Sequence, residues 1–225
     1  MRPTKLVAVM ALCTAGLLSG CAGAQPGVAA RIGDETISVN DVNRITEGYC
    51  LAYERQLRGD GDVLTNEFLS SNILFRLALS SAARQLADDY GVEPTAAYTD
   101  NLATLEQTVS VLEPQAAEAR IAVDSSGTYV SDVLGSIGRQ ELEAEGVAEP
   151  TTDDSLARGG DELKVWLTEN RPDIDPQYGL EVNDLEPVFV DTSTSFAASD
   201  QAVAGAGREP DAAYAATLPE SQRCG

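Results

Sequence analysis

The sequence predicts a mainly helical protein with a small β element formed by an N-terminal hairpin and C-terminal strands. Apolar residues recur at three- and four-residue spacing through most of residues 38–170, which is typical of helices that bury one face. Two short apolar stretches flank Gly33-Asp34, and this pattern indicates a hairpin. After Pro172 the helical spacing disappears and strand-like runs follow.

The first elements are the hairpin and a capped helix. The hairpin is expected over residues 28–37. Ser38 and Asp41 have the spacing of a capping box, so a first helix should begin there. It should end at the glycines and aspartates of residues 59–62.

The second and third helices differ in their apolar surface. Residues 66–90 carry apolar side chains almost all round a helix, which indicates a position in the middle of the core. Pro94 can occupy the first turn of a third helix, and Pro114 should kink or restart that helix. The third helix has a single apolar stripe, made of Leu102, Leu105, Val109 and Leu112.

Two further helices and two strands complete the prediction. Apolar residues mark a fourth helix around residues 130–137, and a fifth helix should stop before Asn170. Strands are expected at residues 178–182 and 187–190. Residues 191–225 have no visible period, and we expect them to form a flexible or loosely docked tail.

Residues 1–20 have the features of a bacterial lipoprotein signal peptide. Arg2 and Lys5 precede a short apolar run, and Leu18-Ser19-Gly20-Cys21 has the order and spacing of a lipobox. Cleavage there would leave Cys21 N-terminal, and a diacylglyceryl group on its sulfur would hold the protein stably at a membrane. The alternatives are an ordinary signal peptide cut near residues 22–24, or a membrane span. The apolar run is shorter than the roughly 20 residues that a span needs.

We therefore expect a lipid-anchored protein on the extracytoplasmic face of the cell membrane, with residues 21–27 as a tether. In that compartment Cys50 and Cys224 remain after processing, and an even pair of cysteines in an exported protein indicates a disulfide. The alternative is two independent free thiols.

Charge and composition exclude several kinds of function. The formal net charge is −21, which repels nucleic acid, so no nucleic-acid partner is expected. The chain has no histidine, so it cannot form a Ser-His-Asp site, a Cys-His site or one of the usual zinc sites. Its paired aspartates do not match a calcium loop. We expect no metal and no cofactor other than the lipid on Cys21.

Three segments carry a family resemblance. The run AARIGDETISVNDV at residues 29–42 resembles the opening of the chaperone domain of the SurA family of exported folding factors. The apolar second helix and the GVEPT step at residues 91–95 resemble the same domain. The run DPQYG at residues 175–179 is similar to a segment of actinobacterial lipoproteins that carry this domain without a parvulin domain, although Gln177 stands where arginine is usual.

The resemblance implies a SurA-like N-terminal domain over residues 28–190 that holds unfolded or extended exported polypeptides. Trp166 and Tyr178 would then line a peptide-binding cleft. The alternative is that they are buried anchors, and a single Trp at helical spacing favours this alternative. A structural or assembly lipoprotein that binds one envelope partner is the alternative function. Prolyl isomerisation, the activity of parvulin domains, is disfavoured because no parvulin-like segment is present. We expect no catalytic residues.

Overall fold

A computed structural model of the chain describes residues 26–191, 199–205 and 212–225. The described chain is mainly helical, as the sequence predicts. The signal peptide at residues 1–20 and the lipid site Cys21 lie outside the described residues. The helices are α1 (Val39–Asp60), α2 (Asn66–Tyr90), α3 (Ala96–Val109), α4 (Pro114–Ala144), α5 (Thr152–Asn170), α6 (Asp200–Gly205) and α7 (Ala212–Thr217). The strands are β1 (Val28–Ile32), β2 (Glu35–Ser38), β3 (Leu64–Thr65), β4 (Asp173–Ile174), β5 (Leu180–Glu181), β6 (Val188–Phe189) and β7 (Arg223–Cys224).

The hairpin and the capped first helix are confirmed. Strands β1 and β2 pair antiparallel around the turn at residues 33 and 34. The Ser38 hydroxyl accepts a hydrogen bond from the Asp41 backbone N–H at 3.0 Å and caps α1. At the other end Gly61 adopts φ 78°, a left-handed conformation that favours glycine, and its N–H donates to the Leu57 carbonyl.

Helix α2 lies in the middle of the core, as its apolar surface predicts. Twelve of its 25 residues are buried, and it packs against α1, α4 and α5. Thr65 caps its first turn, and Gly91 ends it in the left-handed conformation. Because α2 is buried on several sides, it contributes residues to both apolar clusters of the interior.

Helices α4 and α5 approach each other at two glycines. A Cβ atom at Gly138 of α4 would lie 2.6 Å from the Gly159 backbone nitrogen of α5. A Cβ atom at Gly159 would in turn lie 2.6 Å from the Leu134 carbonyl carbon. These backbones can therefore pack as they do only without side chains at both positions.

Two helix boundaries differ from the prediction. Helix α3 begins at Ala96, because the Thr95 side chain caps it, so Pro94 lies before the cap rather than in the first turn. Helix α4 restarts at Pro114, as expected, but continues without a break to Ala144. The predicted fourth helix is therefore the C-terminal half of this long helix. Pro114 fits its start because the missing N–H of a proline is harmless in the first helical turn.

The prediction of a single β element is wrong, because the strands form three separate small sheets. The first sheet has the order β2-β1-β4, so the N-terminal hairpin pairs with one strand, β4, that follows α5 in the chain. Asp173–Ile174, which forms β4, was not predicted as a strand. Strands β5 and β6 pair with each other, and β3 pairs with β7. Strand β4 pairs with the edge of β1 that β2 leaves open.

Candidate polypeptide-binding site

The helical arm, residues 95–113, is the least buried of the longer helical segments. It consists of α3 with its flanking residues and packs along α4. Only Val109 is buried among the 14 residues of α3, whereas twelve residues of α2 are buried. The arm is therefore attached to the body through few apolar contacts.

Polar and aromatic contacts fix the beginning of the arm to α4. The Thr95 backbone N–H donates to Asp132 Oδ2 at 2.7 Å, and the Thr95 hydroxyl donates to Asp132 Oδ1 at 2.5 Å. Nearby, the rings of Tyr98 and Tyr129 meet edge to face with centroids 5.4 Å apart. All of these groups are partly or fully exposed to solvent, so solvent screening weakens the polar contacts.

The arm presents partly exposed apolar side chains in one stripe. Leu102, Leu105 and Leu112 are each half-buried. At the end of the arm Val111 is 86% exposed, the largest exposure among the described large apolar side chains. Apolar side chains that remain partly exposed to solvent can gain contacts from a bound polypeptide, so this stripe is a candidate binding surface.

The charged residues of the arm and of the sequence that flanks it are all acidic. Residues 85–119 contain no lysine or arginine. The acidic residues in this range are Asp88, Asp89, Glu93, Asp100, Glu106, Glu113 and Glu118. This charge disfavours phosphate-bearing partners at the arm.

Trp166 and Tyr178 are both buried and lie outside the arm. The Trp166 side chain is 8% exposed, and its indole N–H donates to Asp89 Oδ2 at 3.2 Å. Tyr178 is 6% exposed, its carbonyl accepts from the Ser71 hydroxyl at 2.7 Å, and burial raises the pKa of its phenol. Both side chains are therefore part of the main core cluster, which is the position that helical spacing favours for Trp166.

Cys50 and Cys224 form a disulfide in the structure. Their Cα atoms are 5.6 Å apart, within the usual range for a disulfide. The bond joins α1 to β7, which pairs with β3, so this end of the 191–225 tail contacts the helical body. Cys224 and Ala215 are both fully buried.

A second polar cluster joins α1 to α4 close to the disulfide. The hydroxyls of Tyr49 and Tyr53 donate to the two carboxylate oxygens of Asp124 at 2.9 and 3.0 Å. Arg120 donates to the same carboxylate and stacks over the Tyr53 ring at 4.7 Å. Burial raises the pKa of Tyr49 far above its usual range. The four side chains satisfy one another, which indicates a structural role.

The stripe of the arm is visible in the sequence, but its exposure and its attachment to α4 are not. The narrow stripe on α3 was a usable signal, because a helix with few apolar residues cannot be deeply buried. Asp132 gave no signal, since 37 residues separate it from Thr95. Only the packing of α3 along α4 brings the two together.

The described residues offer no group of three or more histidine, cysteine, aspartate or glutamate side chains placed to hold a metal ion. Within the same part of the chain, no helix has both the length and the apolar character needed to cross a bilayer. Comparisons of the chain with protein-family models, with curated proteins and with solved structures found no match.

Proposed function

We propose that this chain is an exported lipoprotein whose helical domain holds unfolded polypeptides, as SurA-type chaperone domains do. The observation that carries the proposal is the helical arm, residues 95–113, with its partly exposed apolar stripe on a helix that buries only Val109. The order of hairpin, capped helix and buried second helix supports the same proposal, because the chaperone domain of the SurA family begins with elements in this order.

The arm supports holdase binding because it can move without unfolding the core. A segment with few buried apolar contacts opens at a lower free energy than a buried helix such as α2. Opening at the Thr95–Asp132 end would expose the stripe and the facing surface of α4. An extended apolar polypeptide that binds there buries apolar area that neither partner buries alone.

The holdase is tested by aggregation of an unfolding model substrate, followed by light scattering at near-stoichiometric ratios. We expect the wild-type protein to suppress scattering. The double variant L102Q/L105Q should lose most of this suppression, since it replaces two partly exposed apolar side chains with polar ones of high helix propensity. Both side chains are half-buried, so the variant should remain folded.

The matched control is Glu106→Gln, on the exposed face of the same helix. It changes charge without changing apolar area, so suppression should be close to wild type. Equal suppression by L102Q/L105Q and wild type would contradict binding at the arm. Absence of suppression by the wild-type protein would contradict the holdase itself and favour a dedicated envelope partner, to be sought by crosslinking in cells.

Lipid anchoring at Cys21 is the second part of the proposal. It rests on the lipobox of residues 18–21 and the short apolar run before it. Cells grown with an alkyne fatty acid should label the wild-type protein, and Cys21→Ser should abolish both the label and the membrane fraction. A labelled Cys21→Ser protein would contradict acylation at this residue.

A further inference from the structure

The apolar stripe of the helical arm has acidic residues at both of its ends. Glu93 and Asp100 precede Leu102, the first leucine of the stripe, and Glu113 follows Leu112, the last. All three acidic residues are exposed, and none of them forms an ion pair within the described part of the chain. The stripe is therefore an apolar surface with negative charge at each end.

Arginines on the neighbouring helices are paired with other carboxylates. Residues 85–119 contain no lysine or arginine. Arg44 of α1 donates to Glu118 at 2.6 Å, and Arg84 of α2 donates to Glu35 at 2.6 Å. Since these guanidinium groups have partners of their own, the acidic residues at the ends of the stripe can attract the cations of a bound polypeptide.

We propose that the polypeptides held by the arm, its clients, are cationic: apolar segments with lysine or arginine on both sides. This inference rests on the proposed holdase function and names its class of client. The apolar part of the segment contacts the stripe, and its cations lie near the acidic residues at the two ends. Charge complementarity of this kind selects partners and speeds their association. A second copy of the chain is disfavoured as the occupant, because its arm carries the same negative charge.

The length of the stripe determines the spacing of the cations in the client. Asp100 and Glu113 are 13 positions apart, which corresponds to roughly 20 Å at the helical rise of about 1.5 Å per residue. An extended polypeptide advances about 3.3 Å per residue, so about six residues cover this distance. The best client therefore has about five apolar residues between its basic residues.

Binding of two matched peptides to the whole exported chain tests the class of client. Each peptide has a short apolar centre of the length given above between two pairs of charged residues, which are lysines in one peptide and glutamates in the other. The chain is held in nanodiscs of a zwitterionic lipid, empty nanodiscs serve as the blank, and fluorescence anisotropy gives each Kd. An exposed ion pair changes an equilibrium constant by a factor of about 1.4 to 5, so several such pairs should make the lysine peptide bind at least about tenfold more tightly. At about 1 M salt, where the Debye length is about 3 Å, the ratio of the two Kd values should fall toward one.

Two charge-reversal variants locate the preference. E93K/D100K reverses two of the acidic residues at the stripe and should lower the ratio of the Kd values to about threefold or less. E143K/E149K changes the net charge by the same amount at exposed residues away from the arm. Glu143 lies 11 positions beyond Asp132 in α4, or about 16 Å along the helix from the attachment of the arm. This distance exceeds the Debye length of about 10 Å at 0.1 M salt, so the second variant should keep the wild-type ratio.

Several results would overturn the proposal. They are equal binding of both peptides by the wild-type protein, binding of neither peptide, an equal loss of preference in the two reversal variants, and binding of the lysine peptide that L102Q/L105Q does not weaken. Self-association through the stripe, seen in sedimentation as a dimer that L102Q/L105Q dissociates, would assign the surface to a second copy instead. If the two peptides bind equally while light scattering is still suppressed, the arm holds unfolded polypeptides without selecting for charge, so failure of this proposal is distinguishable from failure of the holdase.

Discussion

Replacing Gly138 with alanine should separate α4 from α5. The added Cβ would lie 2.6 Å from the Gly159 nitrogen and 2.8 Å from the Ser155 carbonyl carbon, and closer still to the Ser155 carbonyl oxygen. These are backbone atoms, so no flexible side chain can move aside. The Ser155 oxygen is the nearest of these atoms, so restoring ordinary contact at about 3.5 Å requires the helices to separate by more than about 1 Å. A gap of about 1 Å already forfeits up to half of the dispersion energy of the affected contacts.

The size of the effect follows from two opposing contributions. Overpacking of a core costs about 1–3 kcal/mol and occasionally more, and a backbone collision belongs at the upper end. Alanine gains about 1 kcal/mol over glycine in helix propensity. Gly138→Ala should therefore lower the free energy of unfolding by about 2 kcal/mol.

The matched control is Gly127→Ala in the same helix. Its Cβ would meet only the end of the Arg76 side chain, at 3.6 Å, an ordinary contact. This variant should gain about 1 kcal/mol from helix propensity. The two variants should differ by about 3 kcal/mol, or roughly 6–12 °C in Tm by thermal unfolding followed by circular dichroism. Equal Tm values for the two would refute the close approach of α4 and α5.

Three more variants test the core, a hydrogen-bonded carboxylate and a helix cap. Trp166→Ala should lower the free energy of unfolding in urea by about 3–5 kcal/mol, because the indole is buried, and an unchanged value would contradict its role as an anchor. Arg84 donates to the Glu35 carboxylate at 2.6 and 3.0 Å and lowers the pKa of Glu35. The ion pair therefore contributes to stability at pH values above the unfolded pKa near 4.5, and this contribution is lost as the pH falls through the folded pKa. Glu35→Gln should accordingly have a lower Tm than wild type at pH 7, and the difference in Tm should be smaller at pH 3, whereas an equal difference at both pH values would contradict the ion pair. Thr65→Ala removes the side-chain cap of α2 and should lower stability by about 1 kcal/mol, whereas no loss in urea unfolding would contradict the cap.

The helices were predictable where local signals act alone. The Ser38 cap, the left-handed Gly61 and the all-round apolar residues 66–90 determine α1 and α2 without reference to distant residues. The full length of α4 is not predictable from the local pattern, because one stretch of it has sparse apolar residues. Neighbouring helices cover α4 on both sides, and this packing keeps the stretch helical. The pairing of β4 with β1 was missed because it joins residues from opposite ends of the domain.

The candidate site was less predictable than the fold. The stripe of Leu102 and Leu105 was visible, but its partial exposure depends on how α3 packs along α4. As an aromatic residue Trp166 is a candidate for the wall of a peptide-binding cleft, yet its helical spacing also fits the core, where the structure buries it. Burial decides between a binding residue and an anchor, and it is a property of the tertiary structure.

Photocrosslinking tests binding at the helical arm most directly. A photoreactive amino acid is placed at Leu105 on the stripe, and in a second protein at Gln140, which is exposed on α4 far along the helix from the arm. Each protein is irradiated with an unfolded exported polypeptide. We predict strong crosslinks from position 105 and few from position 140. Equal crosslinking from both positions, or none from position 105 while aggregation is still suppressed, would contradict the arm as the polypeptide-binding site.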